Sequence, residues 1–197
     1  RSDFPLKEKY GFHDLVQIMR VLRGPGGCPW DAQQTHASIR KNFIEETYEA
    51  IEAIDAADPV LLQEELGDVL LQVIYHAAME EEQGSFSIDD VCDGVCKKLV
   101  TRHPHIFGDI KADTAEEVLS NWEEIKQREK GQKTATETLE SVPKVFPALM
   151  RAEKIQKRAS RAGMDYDSLN DAFRDLRSEV DELEDAVKSG TVQEKTL

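Results

Sequence analysis

The sequence predicts an all-α protein: a helical bundle, a linker, and a partial second helical unit. Three observations carry this. Apolar residues recur at helical spacing through almost the whole chain, no segment alternates like a strand, and the interruptions hold helix-capping and helix-stopping residues. Phe12, Leu15, Val16, Ile18, Met19 and Leu22 define a first helix. "RGPGGCPWD" ends it, and its glycines and prolines predict a shaped loop without helix. A second helix is expected from about His36 to Ala57. Asp58 then reads as an N-cap with Pro59 at the first helical position, opening a third helix to about Gln83, where Gly84 stops it. Ser87 and Asp90 cap a fourth, ending near His103-Pro104, and Thr114 with Glu117 caps a fifth, to about Lys130. Residues 131–146 read as a linker, polar and Thr-rich over "GQKTATETLES". Pro147 opens a basic helix closed by Gly163, and Ser168 begins a last helix to about Ser189. The expected organisation is a bundle over 1–130, the linker, and 147–197 as the basic helix with an incomplete second unit.

Composition narrows the partners. The 197 residues carry a net charge of −14. A nucleic-acid backbone or an anionic membrane needs a basic footprint, so both are excluded as expected partners. A small anionic substrate stays admissible if a divalent cation accompanies it. Three cysteines, an odd number, fit a reducing cytosol better than a disulfide framework. The start lacks the apolar core of a signal peptide, and no run is long enough to span a bilayer. The expected location is cytoplasmic.

The chemistry concentrates in two carboxylate groups. "EETYE" places Glu45, Glu46 and Glu49 on the second helix, with Glu52 extending the row; "ELGD" places Glu65 and Asp68 one turn apart on the third. On the second helix Ile44, Thr47, Ile51 and Ile54 read as the core side. Taken alone, either acidic group also reads as a solvated face. The third helix is apolar almost all round, from Leu61 and Leu62 through Leu66 and Val69 to Ile74, which predicts burial on most sides. Carboxylates buried there need cationic partners. The chain offers no Lys or Arg between Lys41 and Lys97. Oxygen-only donors favour a hard cation, Mg²⁺ or Mn²⁺, held between two facing helices. A di-iron bundle is disfavoured, because no histidine has Glu three residues before it. Cys92 and Cys96, one turn apart among Val91, Val95 and Leu99, read as small core residues and not as zinc ligands.

Basic candidates follow. Lys98 and Arg102 share a face at the end of the fourth helix, readable either as phosphate contacts or as a favourable charge at a helix C-terminus. Trp122 and Lys126 stand four apart on the fifth helix. The indole reads equally as core packing or as a cover for a base, with Lys126 toward phosphate. Trp30 in "GCPWD" reads as a packing anchor.

With "GCPWD", "EETYE", "EELGDVLLQV", "RHPHIF", "NWEEIK" and "LMRAEKIQKRA" in place, the chain resembles the MazG family of nucleoside triphosphate pyrophosphohydrolases, from about Phe12 to Ser189. The resemblance implies the all-α NTP pyrophosphatase fold and hydrolysis of NTP or dNTP to the monophosphate and pyrophosphate with Mg²⁺. It implies metal ligands at Glu45, Glu46, Glu49, Glu65 and Asp68, with Glu45 or Glu46 handling the attacking water. Lys98, Arg102, Trp122 and Lys126 become the nucleotide and phosphate contacts. It also implies homodimers or higher homo-oligomers, often with tandem units in one chain. "RSEVDELEDAV" echoes the first metal helix, with Glu179 and Glu182 in place and Ser178 where the leading Glu belongs. The second E-x-x-D is not reached by Leu197, so the second unit is expected to be incomplete and metal-free. The rival function is a non-catalytic nucleotide-binding or dimerisation module that uses the same positions.

Overall fold

The computed structural model describes residues 4–129, 131 and 134–190. Among these residues the chain is helical without strands, and no helix is long and apolar enough to cross a membrane. Two compact units divide after Ile110.

The first unit holds α1 (Phe12–Arg23), α2 (Pro29–Gln33), α3 (His36–Asp55), α4 (Pro59–Glu82), α5 (Ile88–Arg102) and α6 (Pro104–Phe107). Local chemistry sets the boundaries. Asp58 accepts from the backbone N–H groups of Val60 at 2.9 Å and Leu61 at 3.1 Å, and Pro59 follows at the first helical position. Gly84 takes φ +74° beyond the end of α4, a conformation that glycine adopts without strain. Ser87 and Asp90 close a reciprocal capping box on α5. The loop before α2 is tight: a Cβ on Gly27 would run into the carbonyl oxygens of Val21 and Leu22. The segment read as helix-free nevertheless contains α2, because Pro29 sits at a first helical position, where its missing N–H costs nothing.

The core lies around the C-terminal half of α4. Ile74, Tyr75, Ala77, Ala78 and Met79 meet Val16 and Met19 of α1, Ile39 of α3 and Ile88 of α5. Tyr75 donates its hydroxyl to both the carbonyl and the carboxylate of Asp31, at 2.9 and 3.0 Å, and Arg23 donates to the Asp31 carbonyl at 2.7 Å. This rivets α2 to the bundle.

Four expectations about burial change. α3 faces inward through Ile39, Ala50 and Ala53, while Ile44, Ile51 and Ile54 stay exposed. Small alanines let two helix backbones approach, and the isoleucine side turns outward. The N-terminal half of α4 is open, with Leu66 54 % exposed, so Glu65 and Asp68 are half-buried and not enclosed. Cys92 and Cys96 are exposed, since α5 meets the core through Ile88. Trp30 is 61 % exposed and anchors nothing; Asp31 beside it does.

The second unit holds α7 (Ala115–Glu129), α8 (Ala135–Glu140), α9 (Ala148–Arg161) and α10 (Leu169–Lys188). Thr114 and Glu117 cap α7, and Ser168 caps α10. α8 lies inside the stretch read as linker, started by a Thr134–Glu137 capping box. Val142 is buried behind it. Arg158 of α9 donates to the Thr138 carbonyl and, at 2.7 Å, to the Ser141 hydroxyl, satisfying the end of α8.

Candidate metal centre

The buried stripe of α3 decides which acidic residue points where. Glu46 stands four residues before Ala50 and seven before Ala53, so it lies on their stripe and is half-buried. Glu49 sits at the edge of that stripe. From α4, Glu65 rises toward both. One carboxylate oxygen from each of Glu46, Glu49 and Glu65 lies within 4.8 Å of the other two. Among the described residues, this is the group of three that has the composition and spacing to hold a metal ion.

Asp68 belongs to the same field. Burial pushes the Glu46 carboxyl above its ordinary range, and the charges of Asp68, Glu49 and Glu65 add to the rise. The Glu65 carboxyl is likewise raised, first by burial and then by Glu49, Glu64 and Asp68. Every charged neighbour that shifts these two groups is another carboxylate. Crowding of this kind makes one group retain a proton or calls for a cation. The donors are all oxygen, which suits a hard divalent ion and not a soft one.

Glu45 takes a different position. It is exposed and paired with Lys41 at 2.5 Å, one turn back on its own helix. Lys98 is exposed on α5; its neighbour Lys97 is tied to Asp93 at 2.6 Å, and Arg102 is half-buried and engaged. Trp122 and Lys126 lie on α7 of the second unit, both half-buried. The Lys126 ammonium sits 3.2 Å from both oxygens of Glu123, and Arg161 reaches the same carboxylate at 3.1 Å. Burial works to raise the Glu123 carboxyl, but the two cations prevail and hold it below its usual range. The Arg161 contact was not visible in the sequence, because nothing local joins α7 to α9. Glu179 and Glu182 are exposed on α10, with Ser178 bonded to Glu182 at 3.4 Å.

Residues 34–107 match the family described as the MazG nucleotide pyrophosphohydrolase domain, a span that includes both carboxylate groups. The chain is 42 % identical over 184 residues to the nucleoside triphosphate pyrophosphohydrolase of Escherichia coli (strain K12), covering 93 % of this chain and 70 % of that protein. The chain belongs to the MazG family. It is also 50 % identical over 157 residues to YabN, an uncharacterized protein of Bacillus subtilis (strain 168), spanning 78 % of this chain and about a third of YabN's length (32 %). Among solved structures, a mazG-related protein from Thermotoga maritima aligns with a TM-score of 0.50 at 27 % identity, over 59 % of this chain and 99 % of that one. Within the MazG family the all-α architecture is thus shared, and the carboxylate pair of helices falls inside the matched domain.

Proposed function

We propose that this MazG-family chain hydrolyses nucleoside triphosphates, ribo or deoxy, to the monophosphate and pyrophosphate, with Mg²⁺ as the metal. The observation that carries it is the meeting of Glu46, Glu49 and Glu65 within 4.8 Å beside Asp68, with carboxylates and not basic side chains as the charges that raise Glu46 and Glu65. The names of the E. coli and related enzymes give the reaction. Glu46, Glu49, Glu65 and Asp68 would hold Mg²⁺, and Mn²⁺ suits the same donors. Bound there, the metal supplies charge neutralisation for the triphosphate and the departing pyrophosphate.

The chain's own groups do the rest. Glu46 is half-buried within the carboxylate group, a position that suits a base that takes the proton of the attacking water. The water oxygen bonds to the α-phosphorus, the bond from that phosphorus to the bridging oxygen breaks, and pyrophosphate leaves with the electron pair. Glu45 serves beside it once it leaves Lys41. Lys98 and Arg102 contact phosphate. Trp122 is assigned the base and Lys126 a phosphate; each role is read by its own substitution.

A homodimer is part of this reading. Ile44, Ile51, Leu66, Val95 and Leu99 each expose more than two-fifths of their surface. Exposed apolar side chains of that size on α3, α4 and α5 suit burial against a second copy. The decisive assay is a panel of NTPs and dNTPs with Mg²⁺ that resolves pyrophosphate from single phosphate. Asp68→Asn and Glu49→Gln should abolish pyrophosphate release; wild-type rates in both sink the site assignment. Release of single phosphate excludes the bond. Tight nucleotide binding without turnover selects the non-catalytic module.

A further inference from the structure

A second cluster of titratable groups ties α3 to α4 away from the carboxylates. His36, the first residue of α3, places its Nδ1 2.6 Å from Nδ1 of His76 and its Nε2 2.8 Å from Oε1 of Glu80. The two rings are within 4° of parallel with centroids 5.0 Å apart. A nitrogen–nitrogen distance of 2.6 Å with that centroid separation means the rings meet edge to edge in one plane. The contact is a linear hydrogen bond and not a stack.

We propose that Glu80, His36 and His76 form a proton-linked clamp that fixes the pairing of α3 with α4 and opens in acid. The carboxylate accepts, so His36 carries its hydrogen on Nε2. In its neutral form His36 then offers a lone pair at Nδ1, and His76 must donate Nδ1–H to it. That leaves the lone pair of His76 at Nε2. One added proton keeps the clamp, because the pair still holds one hydrogen between the facing nitrogens. A second added proton puts a hydrogen on both, and the contact becomes repulsive. Burial, with the neighbouring His36, holds His76 below its ordinary value, so the native fold resists that proton.

Among the described residues, the charged groups on the neighbouring elements have partners of their own. On α1, Arg20 and Arg23 are bound to Glu81 and Glu82. On α2, Asp31 serves Tyr75, and on α5 Asp90 is held by Ser87, with Asp89 near Arg20. Arg40 is exposed on α3, and the neighbour across His76 is the uncharged ring of Phe43. His36 precedes Glu46 by ten residues, about 15 Å along the helix. The clamp therefore acts on helix pairing and does not depend on the metal reading.

The test uses the full chain in metal-free buffer with ¹⁵N-labelled histidine. At pH 8, NMR should find His76 as the Nδ1–H tautomer and His36 as Nε2–H, and His76 should titrate below 6.5. His76 as Nε2–H, or titrating at or above that value, overturns the clamp. His36→Phe should return His76 to the Nε2–H tautomer and shrink the loss of melting temperature between pH 7.5 and 5.5. An unchanged tautomer with an unchanged pH profile overturns it too. Should the variant not fold, the wild-type tautomers and titration decide alone.

Discussion

Glu49→Gln separates a metal site from an acidic surface, because the two readings give opposite signatures. Glu49 and Asp68 both raise Glu46 and Glu65 by their charge, and Glu49 also shares a hydrogen bond with each of the two. Neutralising Glu49 relieves repulsion, so the metal-free variant should melt above the metal-free wild type. With Mg²⁺ the order should reverse. An ion that binds only the folded state stabilises it by about 2.7 kcal/mol at one hundred times its dissociation constant. For a chain of 197 residues that amounts to roughly 5 °C or more in melting temperature. The wild type should show that rise and Glu49→Gln should show almost none. The assay is differential scanning fluorimetry across a Mg²⁺ titration, with Ca²⁺ and a monovalent salt as controls for screening. Equal melting points without metal, together with equal responses to Mg²⁺, would refute the reasoning, whatever the catalytic rates.

Three further outcomes follow from the same geometry. Glu46 and Glu65 have raised folded values, so the native state binds their protons more tightly than the unfolded chain does. Their contribution is present below the ordinary 4.5 and is lost as pH rises through the folded values; metal-free stability should carry a falling component in that window, measured by urea melts, and Mg²⁺ should alter it. This is opposite in sign to the His76 contribution, which is present above its ordinary value and lost as pH falls, so Glu49→Gln and His36→Phe should shift the profile in different regions. Tyr75→Phe removes the hydroxyl that Asp31 accepts twice and should cost about 1 kcal/mol in chemical denaturation, with the MazG-type activity kept. Ile51→Glu places a charge on the exposed apolar face and should convert a dimer to monomer in sedimentation velocity; a wild type that is monomeric throughout removes the dimer proposal.

Much of the fold was legible because helix ends are written locally. Asp58-Pro59, Ser87 with Asp90, Thr114 with Glu117, and Ser168 each satisfy backbone groups within a few residues, and the structure starts helices at all of them. The short helices α2 and α8 were hidden by glycine, proline and threonine content that reads as loop, although Pro29 and the Thr134–Glu137 box are themselves start signals. Burial was less legible. Ile44, Ile51 and Ile54 form the more apolar side of α3, yet Ala50 and Ala53 face inward, since close approach of two helices rewards small side chains and not the most apolar ones.

By itself the sequence determined that the chain is helical, where most helices begin, and that two acidic groups sit on adjacent helices with no Lys or Arg between Lys41 and Lys97. Periodicity and capping are properties of contiguous residues, and the count of charges between Lys41 and Lys97 needs no coordinates. Only the tertiary structure decided that Glu46 joins Glu49 and Glu65, that Arg161 reaches Glu123, and that His36 meets His76 and Glu80. Those outcomes depend on the rotation of one helix against another. That rotation is fixed by packing between residues tens of positions apart, which no local pattern encodes.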